Sequence, residues 1–184
     1  MNNIKSNYII AVVVSALIYG GIIYLSRFVP LKIGTIQIIY PAAIIAPLLG
    51  IWFRFWGSLG LVIGNMLSMF LVGLNPLIFP LALLGQFVMG FIPCLLFWSE
   101  TLDHKRNLGT YIFAVIMGQV AGTSLVALNL VLFQGVPLEL VWKTIWPWMQ
   151  VSNTLMAAIF SPFLFKIFAS YMQQSGLMLK KIMG

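Results

Sequence analysis

The chain is a succession of long apolar runs separated by short polar turns, and no other feature limits its possible folds as much. A helix that crosses a bilayer needs about 20 mostly apolar residues, because in lipid every backbone N–H and C=O must find its partner within the segment. The runs cover residues 8–25, 35–49, 57–74, 77–98, 108–133 and 148–168. Charged residues make up 7% and hydrophobic residues 61% of the chain, where a soluble domain carries about a quarter charged. That is too little polar surface to coat a globule in water. The sequence therefore predicts an all-α integral membrane protein: one domain, 1–184, folded as a compact bundle of six transmembrane helices.

The punctuation supports this division. Arg27, Pro30 and Lys32 follow the first run, and Pro41 and Pro47 shorten or break the second. Trp52, Arg54 and Trp56 predict an interfacial turn, Asn75-Pro76 closes the third run, and SETLDHKRN (99–107) is the most polar loop. Gln134-Gly135-Val136-Pro137 turns the chain before a short interfacial helix over 138–146, where Glu139 and Lys143 stand one helical turn apart. The first run exceeds the ~7–15-residue core of a signal peptide, and no A-x-A site follows it, so it is expected to be retained.

Six spans place both termini on one side of the membrane. Lys5, Arg54, Lys105, Arg106, Lys166, Lys180 and Lys181 then share that side, and Arg27, Lys32 and Lys143 share the other. The positive-inside rule predicts a multi-pass plasma-membrane protein with both termini cytoplasmic. The formal charge of +7 does not point to nucleic acid, because the basic residues are scattered at the ends of apolar runs rather than gathered on one face.

Polar side chains at membrane depth usually face a bundle interior or a cavity. Here they are Asn65, Gln86, Gln119, Asn129, Gln150 and Asn153. In the six-span arrangement Gln86 lies at mid-depth, while Asn129, Gln150 and Asn153 lie in the outer half. Gln150 and Asn153, at i and i+3, share a helix face. The plainer reading pairs these amides with one another as interhelical glue. The sharper one makes them the wall of a binding pocket, with Trp146 and Trp148 at its rim beside Trp142, Tyr40 from the second segment, and Lys143, Arg27 and Lys32 as outer cations able to attract a carboxylate or phosphate. An interfacial tryptophan belt and snorkelling lysines are the competing explanation for the rim.

Small residues at four-residue spacing let membrane helices approach closely. Ala11-x-x-x-Ser15 and Ala16-x-x-x-Gly20 mark the first run, Gly60-x-x-x-Gly64 the third, and Gly118-x-x-x-Gly122 the fifth. Each serves either internal packing or docking of another membrane subunit, and the docking reading is strongest for the first run. Enzyme signatures are absent. His104 is the one histidine, Cys94 the one cysteine, and the three carboxylates Glu100, Asp103 and Glu139 all lie in loops or at interfaces. No metal site, cofactor or catalytic centre is expected from such a set, and no nucleotide-binding motif is present.

Taken together, AVVVSALIYG, IIYPAAIIAPLLG, GSLGLVIGNMLSMFLVG, GFIP and VSNTLMAAIFSPFL make a layout that resembles the substrate-binding S-components of energy-coupling factor transporters, over Ile4 to about Tyr171. The resemblance implies six helices and capture of a small water-soluble vitamin or related heterocycle in the outer half of the bundle. It also implies partners: a transmembrane coupling subunit and two ATPase subunits. The family's small-residue docking motif would fall on Ala11, Ser15, Ala16 and Gly20. The alternative from another class is a non-transporting scaffold subunit of a cell-envelope complex.

Overall fold

The computed structural model describes residues 2–28, 32–33, 36–37, 40–176 and 178–179. Among these, five helices make up most of the chain: α1 (Asn2–Ser26), α2 (Ala42–Phe70), α3 (Pro80–Leu96), α4 (Lys105–Gln134) and α5 (Leu138–Gln174). A two-residue antiparallel pair, β1 (Lys32–Ile33) with β2 (Ile36–Gln37), lies between α1 and α2. Segments in α1, α2, α4 and α5 are long and apolar enough to cross a membrane, whereas α3 has 17 residues. The chain is thus a helical protein with the makings of a membrane protein.

α2 spans the second and third expected runs, but it is not one straight rod. Arg54 has φ 55° and ψ −137°, far outside helical values. A Cβ placed on Gly90 would lie 3.3 Å from Ala46 O and 2.7 Å from Leu61 Cδ1. In a straight helix those two residues would stand about 22 Å apart at ~1.5 Å per residue. The chain therefore reverses at Arg54, and residues 42–53 and 55–70 run back alongside each other. Trp52 and Arg54, expected at an exposed interface, are buried at this reversal.

The Arg54 side chain explains how a cation is kept there. Its Nη1 donates to Cys94 O and Phe97 O, both at 3.0 Å, and its Nε donates to Leu179 O at 3.2 Å. Cys94 and Phe97 end α3, where carbonyls lack helical partners and the helix dipole is negative. The guanidinium also lies 4.7 Å from the Trp98 ring centroid. Leu179 N–H donates to Trp52 O at 2.8 Å, so the C-terminal tail meets the same turn. Tyr8 stacks on Trp56 with ring centroids 5.3 Å apart, which brings the start of α1 to this end as well.

Prolines move several boundaries from their expected places. The second helix starts at Ala42 rather than at 35, because the residue before Pro41 is biased to extended backbone. Pro47 lies inside α2 and cannot donate to Ala43 O. Gln119 Nε2 on α4 takes that carbonyl at 3.2 Å. The last helix starts at Leu138 rather than 148. The expected short interfacial helix runs into it through a wide turn, Val141–Ile145, that ends with Trp146 N–H bonded to Val141 O. The wide turn falls immediately before Pro147, which has no N–H to continue the regular ladder.

Small residues set the interhelical distances. A Cβ on Gly64 would stand 2.5 Å from Ala16 O and 2.9 Å from Gly20 N, and one on Gly60 would stand 2.4 Å from Ser15 Cβ. The expected docking row Ala11, Ser15, Ala16 and Gly20 is buried in this α1–α2 seam, so in this arrangement those residues do not face outward. α2 and α3 meet just as closely, since a Cβ on Gly50 would lie 2.0 Å from Gly90 O.

Two outcomes test these contacts. Gly50→Ala should lower the apparent Tm in detergent, because overpacking a rigid backbone contact costs about 1–3 kcal/mol or more. Gly21→Ala, where a Cβ meets nothing within 4 Å, should leave Tm unchanged or raise it slightly. Gln119→Leu should cost about 1–3 kcal/mol by orphaning Ala43 O. In a Pro47→Ala background, whose backbone N–H can reach that carbonyl, the cost should shrink markedly. Equal costs in both backgrounds would dissociate Gln119 from Pro47.

Candidate functional site

The end of the bundle opposite Arg54 holds a cavity of about 540 Å³, within the ~300–1,000 Å³ usual for small-molecule sites. Each helix contributes a stripe at helical spacing. α1 and its last turn supply Ile23 and Arg27, α2 supplies Asn65 and Met69, and α3 with its lead-in supplies Phe79, Ala82, Gln86 and Met89. α4 supplies Thr123, Val126, Leu130 and Gln134, and α5 supplies Met149 and Asn153. Tyr40 and Leu74 complete the lining. Intervals of three and four residues keep each stripe on one helix face.

Contacts between stripes define levels in the cavity. Tyr19 O–H donates to Gln86 Oε1, which ties α1 to α3. A Cβ on Gly85 would lie 2.6 Å from Gly122 O, so Gln86 and Thr123 stand at similar depth. Thr123 O–H donates to Gln150 Oε1, which brings α5 to the same level. Arg27 lies eight residues beyond Tyr19 on α1, about 12 Å nearer the bundle end. Asn153 lies about one turn deeper than Gln150, since α5 runs inward from this end. The cavity thus runs from a mouth at Arg27, Leu74 and Gln134 to a floor at Gln86, Thr123 and Asn153.

The residues expected from the sequence divide into two sets. Tyr40, Gln86 and Asn153 line the cavity. Asn153 is 5% exposed, and its Oδ1 has no hydrogen-bond partner in the protein. Asn129, Gln150, Trp146, Trp148 and Lys143 do not line it. Asn129 is fully buried, and its Oδ1 accepts from Leu81 N at 3.1 Å and Ala82 N at 3.3 Å. It caps the first turn of α3 from a neighbouring helix, where no side chain of α3's own N-cap does so. Gln150 is held by Thr123 and by Thr154, 2.6 Å from its Nε2.

The aromatic rim behaves likewise. Trp146 Nε1 donates to Ser124 Oγ at 3.2 Å, and its ring lies 5.1 Å from that of Trp142. Trp148 is 58% exposed on the outer surface of α5. Lys143 pairs with Glu139 at 2.6 Å, with both side chains mostly exposed. These positions suit a belt at the edge of the apolar zone.

Sequence reading did not place Thr123 or Gln134 in a pocket wall, and it named Asn65 only within the group of membrane-depth amides and Arg27 only as one of the outer cations. The usable signal was spacing. Tyr19, Ile23 and Arg27 recur at i, i+4 and i+8, and Asn65 and Met69 at i and i+4. Met69, Met89 and Met149 were not legible as lining, because methionine in an apolar run is indistinguishable from core. Their flexible thioethers give the cavity an adaptable apolar surface. Among the described residues no group of three or more His, Cys, Asp or Glu is placed to hold a metal ion.

Comparison with family models, with curated proteins and with solved structures yields no match to this chain.

The two sets predict different mutant behaviour. Asn129→Leu should destabilise the fold by about 0.5–2 kcal/mol through loss of the α3 cap, read as a lower Tm in detergent. Trp148→Ala should leave Tm within error. A Tm unaffected by Asn129→Leu would remove the capping role.

Proposed function

We propose that this chain is the substrate-binding membrane subunit of a transporter, taking up a small water-soluble molecule in the cavity between α1 and α5. The observation that carries the reading is Asn153. Asn153 lines the cavity and is 5% exposed, and its buried Oδ1 has no protein partner, which is costly at membrane depth; the cavity has room for a small molecule. The proposed arrangement counts the two arms of α2 separately, giving six spans with both termini cytoplasmic. With Arg54 buried, Lys5, Lys105, Arg106, Lys166, Lys180 and Lys181 remain as the inner charges, against Arg27, Lys32 and Lys143 outside. That orientation opens the cavity outward.

The chain has no nucleotide-binding motif, so a transport cycle would draw its energy from separate ATPase subunits through a membrane coupling subunit, as the S-component resemblance implies. The substrate proposed on that resemblance is a vitamin or related heterocycle. Docking of the coupling subunit through Ala11, Ser15, Ala16 and Gly20 would require α1 to part from α2, because the row is already packed there.

The scaffold reading draws on a specific observation too: Asn129, Gln119 and Gln150 are all hydrogen-bonded within the protein. Ligand binding separates the two. The purified full chain should be stabilised against heat by at least one member of a panel of water-soluble vitamins and nucleobase-like heterocycles. Asn153→Ala should weaken that compound's binding about tenfold, the ~1.4 kcal/mol expected of one buried hydrogen bond, with little change in expression. An unchanged Kd in the variant removes Asn153 from the site. Absence of any stabilising compound, together with co-purification of cell-shape or division proteins instead of an ATPase pair, would favour the scaffold.

A further inference from the structure

Two side-chain amides reach the cavity at one level with bonding capacity that the packing does not use. Tyr19 O–H donates to Gln86 Oε1, so the carbonyl end of Gln86 is taken and its Nε2 is not. Asn65 is 5% exposed, and among the described residues nothing bonds to either end of its amide. Unlike Asn153 Oδ1, none of these unbonded atoms is sealed from the surface. Both side chains line the cavity. Their common height follows from close contacts elsewhere on the same helices. A Cβ on Gly90 would stand 2.7 Å from Leu61 Cδ1, where α3 passes the second arm of α2 in the opposite direction. One turn from that contact toward the cavity, α2 reaches Asn65 and α3 reaches Gln86. A Cβ on Gly64 would meet Ala16 O and Gly20 N of α1, which sets the next residue, Asn65, at the height of Tyr19, the partner of Gln86.

A charge at this level would have nothing to pair with. Among the described residues the lining holds no carboxylate, and its one charged side chain is Arg27. Arg27 already bonds within the protein and stands about two turns beyond Tyr19 on α1. A buried anion or cation here would lack a counter-charge, and a purely apolar group would leave the two amides unsatisfied. Resting on the binding reading above, we infer that Asn65 and Gln86 select a neutral lactam or ureide edge. The carbonyl of that edge accepts from Gln86 Nε2, and its adjacent N–H donates to Asn65 Oδ1. A carboxamide from each of two neighbouring helices offers a donor beside an acceptor, the complement of an N–H beside a C=O. Met69 and Met89, one turn away on the same helices, also line the cavity and give the ring an apolar surface that adapts to its shape.

The test uses the full chain in detergent, read by thermal unfolding and native mass spectrometry. The probes are matched sets on the same rings: heteroaromatic lactams and ureides, their N-methyl derivatives, and the corresponding ring carboxylates. Lactams or ureides should bind at least tenfold more tightly than their N-methyl derivatives and than the carboxylates. Asn65→Leu should bring the N–H and N-methyl forms to equal affinity. Its ligand-free Tm should stay unchanged or rise, because Asn65 gives up no bond within the protein. Gln86→Leu should weaken the N–H and N-methyl forms by the same factor, since both keep the carbonyl. A lower ligand-free Tm in Asn65→Leu with the N–H preference intact would make Asn65 structural and overturn the assignment. Carboxylates or N-methyl compounds that bind the wild type as tightly as the lactams would overturn it too, and so would binding of a vitamin from the broader panel with no lactam or ureide bound; in each of these cases the binding reading stands. If neither these sets nor the vitamin panel gives any binding, the binding reading itself falls and the inferred selectivity falls with it.

Discussion

The bundle depends on a buried cation bonded to backbone carbonyls. Arg54 sits where the chain reverses inside α2, in a backbone region that costs a residue with a side chain about 1–3 kcal/mol. Its guanidinium takes up carbonyls at the end of α3 and in the C-terminal tail, three bonds from one side chain. Those carbonyls would otherwise be orphaned at a buried helix end, and the charge would otherwise lack a partner, since no carboxylate bonds to it. Arginine suits the position better than lysine, because its fork donates in fixed directions to several acceptors at once. One residue thus closes the α2 turn, ends α3 and anchors the tail.

With the reversal in place, backbone-to-backbone packing follows. The two arms of α2 present glycines in two directions, Gly60 and Gly64 to α1 and Gly50 to α3. Gly85 and Gly122 then bring α3 against α4 at the level of the cavity floor. In lipid there is no hydrophobic gain from bringing apolar helices together, so close approach and polar contacts must hold them. The amides show how those contacts are distributed. Gln119 takes the carbonyl that Pro47 leaves open, Asn129 caps α3, and Gln150 is locked to Thr123. Asn153, one turn deeper than Gln150 on α5, is left facing open volume. Three of these four amides bond to the protein through one of their atoms, while Gln119 Oε1 and Asn129 Nδ2 are buried without a partner just as Asn153 Oδ1 is, so what sets Asn153 apart is its place in the cavity wall.

Much of the architecture was legible in the residues. Apolar runs of spanning length located the helices, because lipid forces each segment to satisfy its own backbone. Asn75-Pro76 and Gln134-Gly135-Val136-Pro137 marked turns that the structure contains, the latter with Gly135 at φ 67° as the left-handed cap of α4. The Glu139–Lys143 pair followed from i, i+4 spacing alone. The site was less legible. An amide in an apolar run announces that it needs a partner, but not which one, so Gln86 and Asn153 could not be told from Asn129 and Gln150. The tryptophans were ambiguous for a related reason: clustered rings at a helix mouth suit a ligand rim and an interfacial belt equally well, and in the structure Trp146 and Trp148 stand outside the cavity lining.

By itself the sequence determined that the chain is helical and apolar enough for a membrane, because composition and run length are properties of each segment alone. It also determined which small residues could meet across a seam. Only the tertiary structure decided that Arg54 is buried at a reversal, that the α1 small-residue row is packed against α2, and that Arg27 and Asn153 mark the two ends of one cavity. Each of these depends on which helix stands beside which and at what height. That is set by close contacts such as Gly50 to Gly90 and Gly64 to Ala16, between residues far apart in the chain.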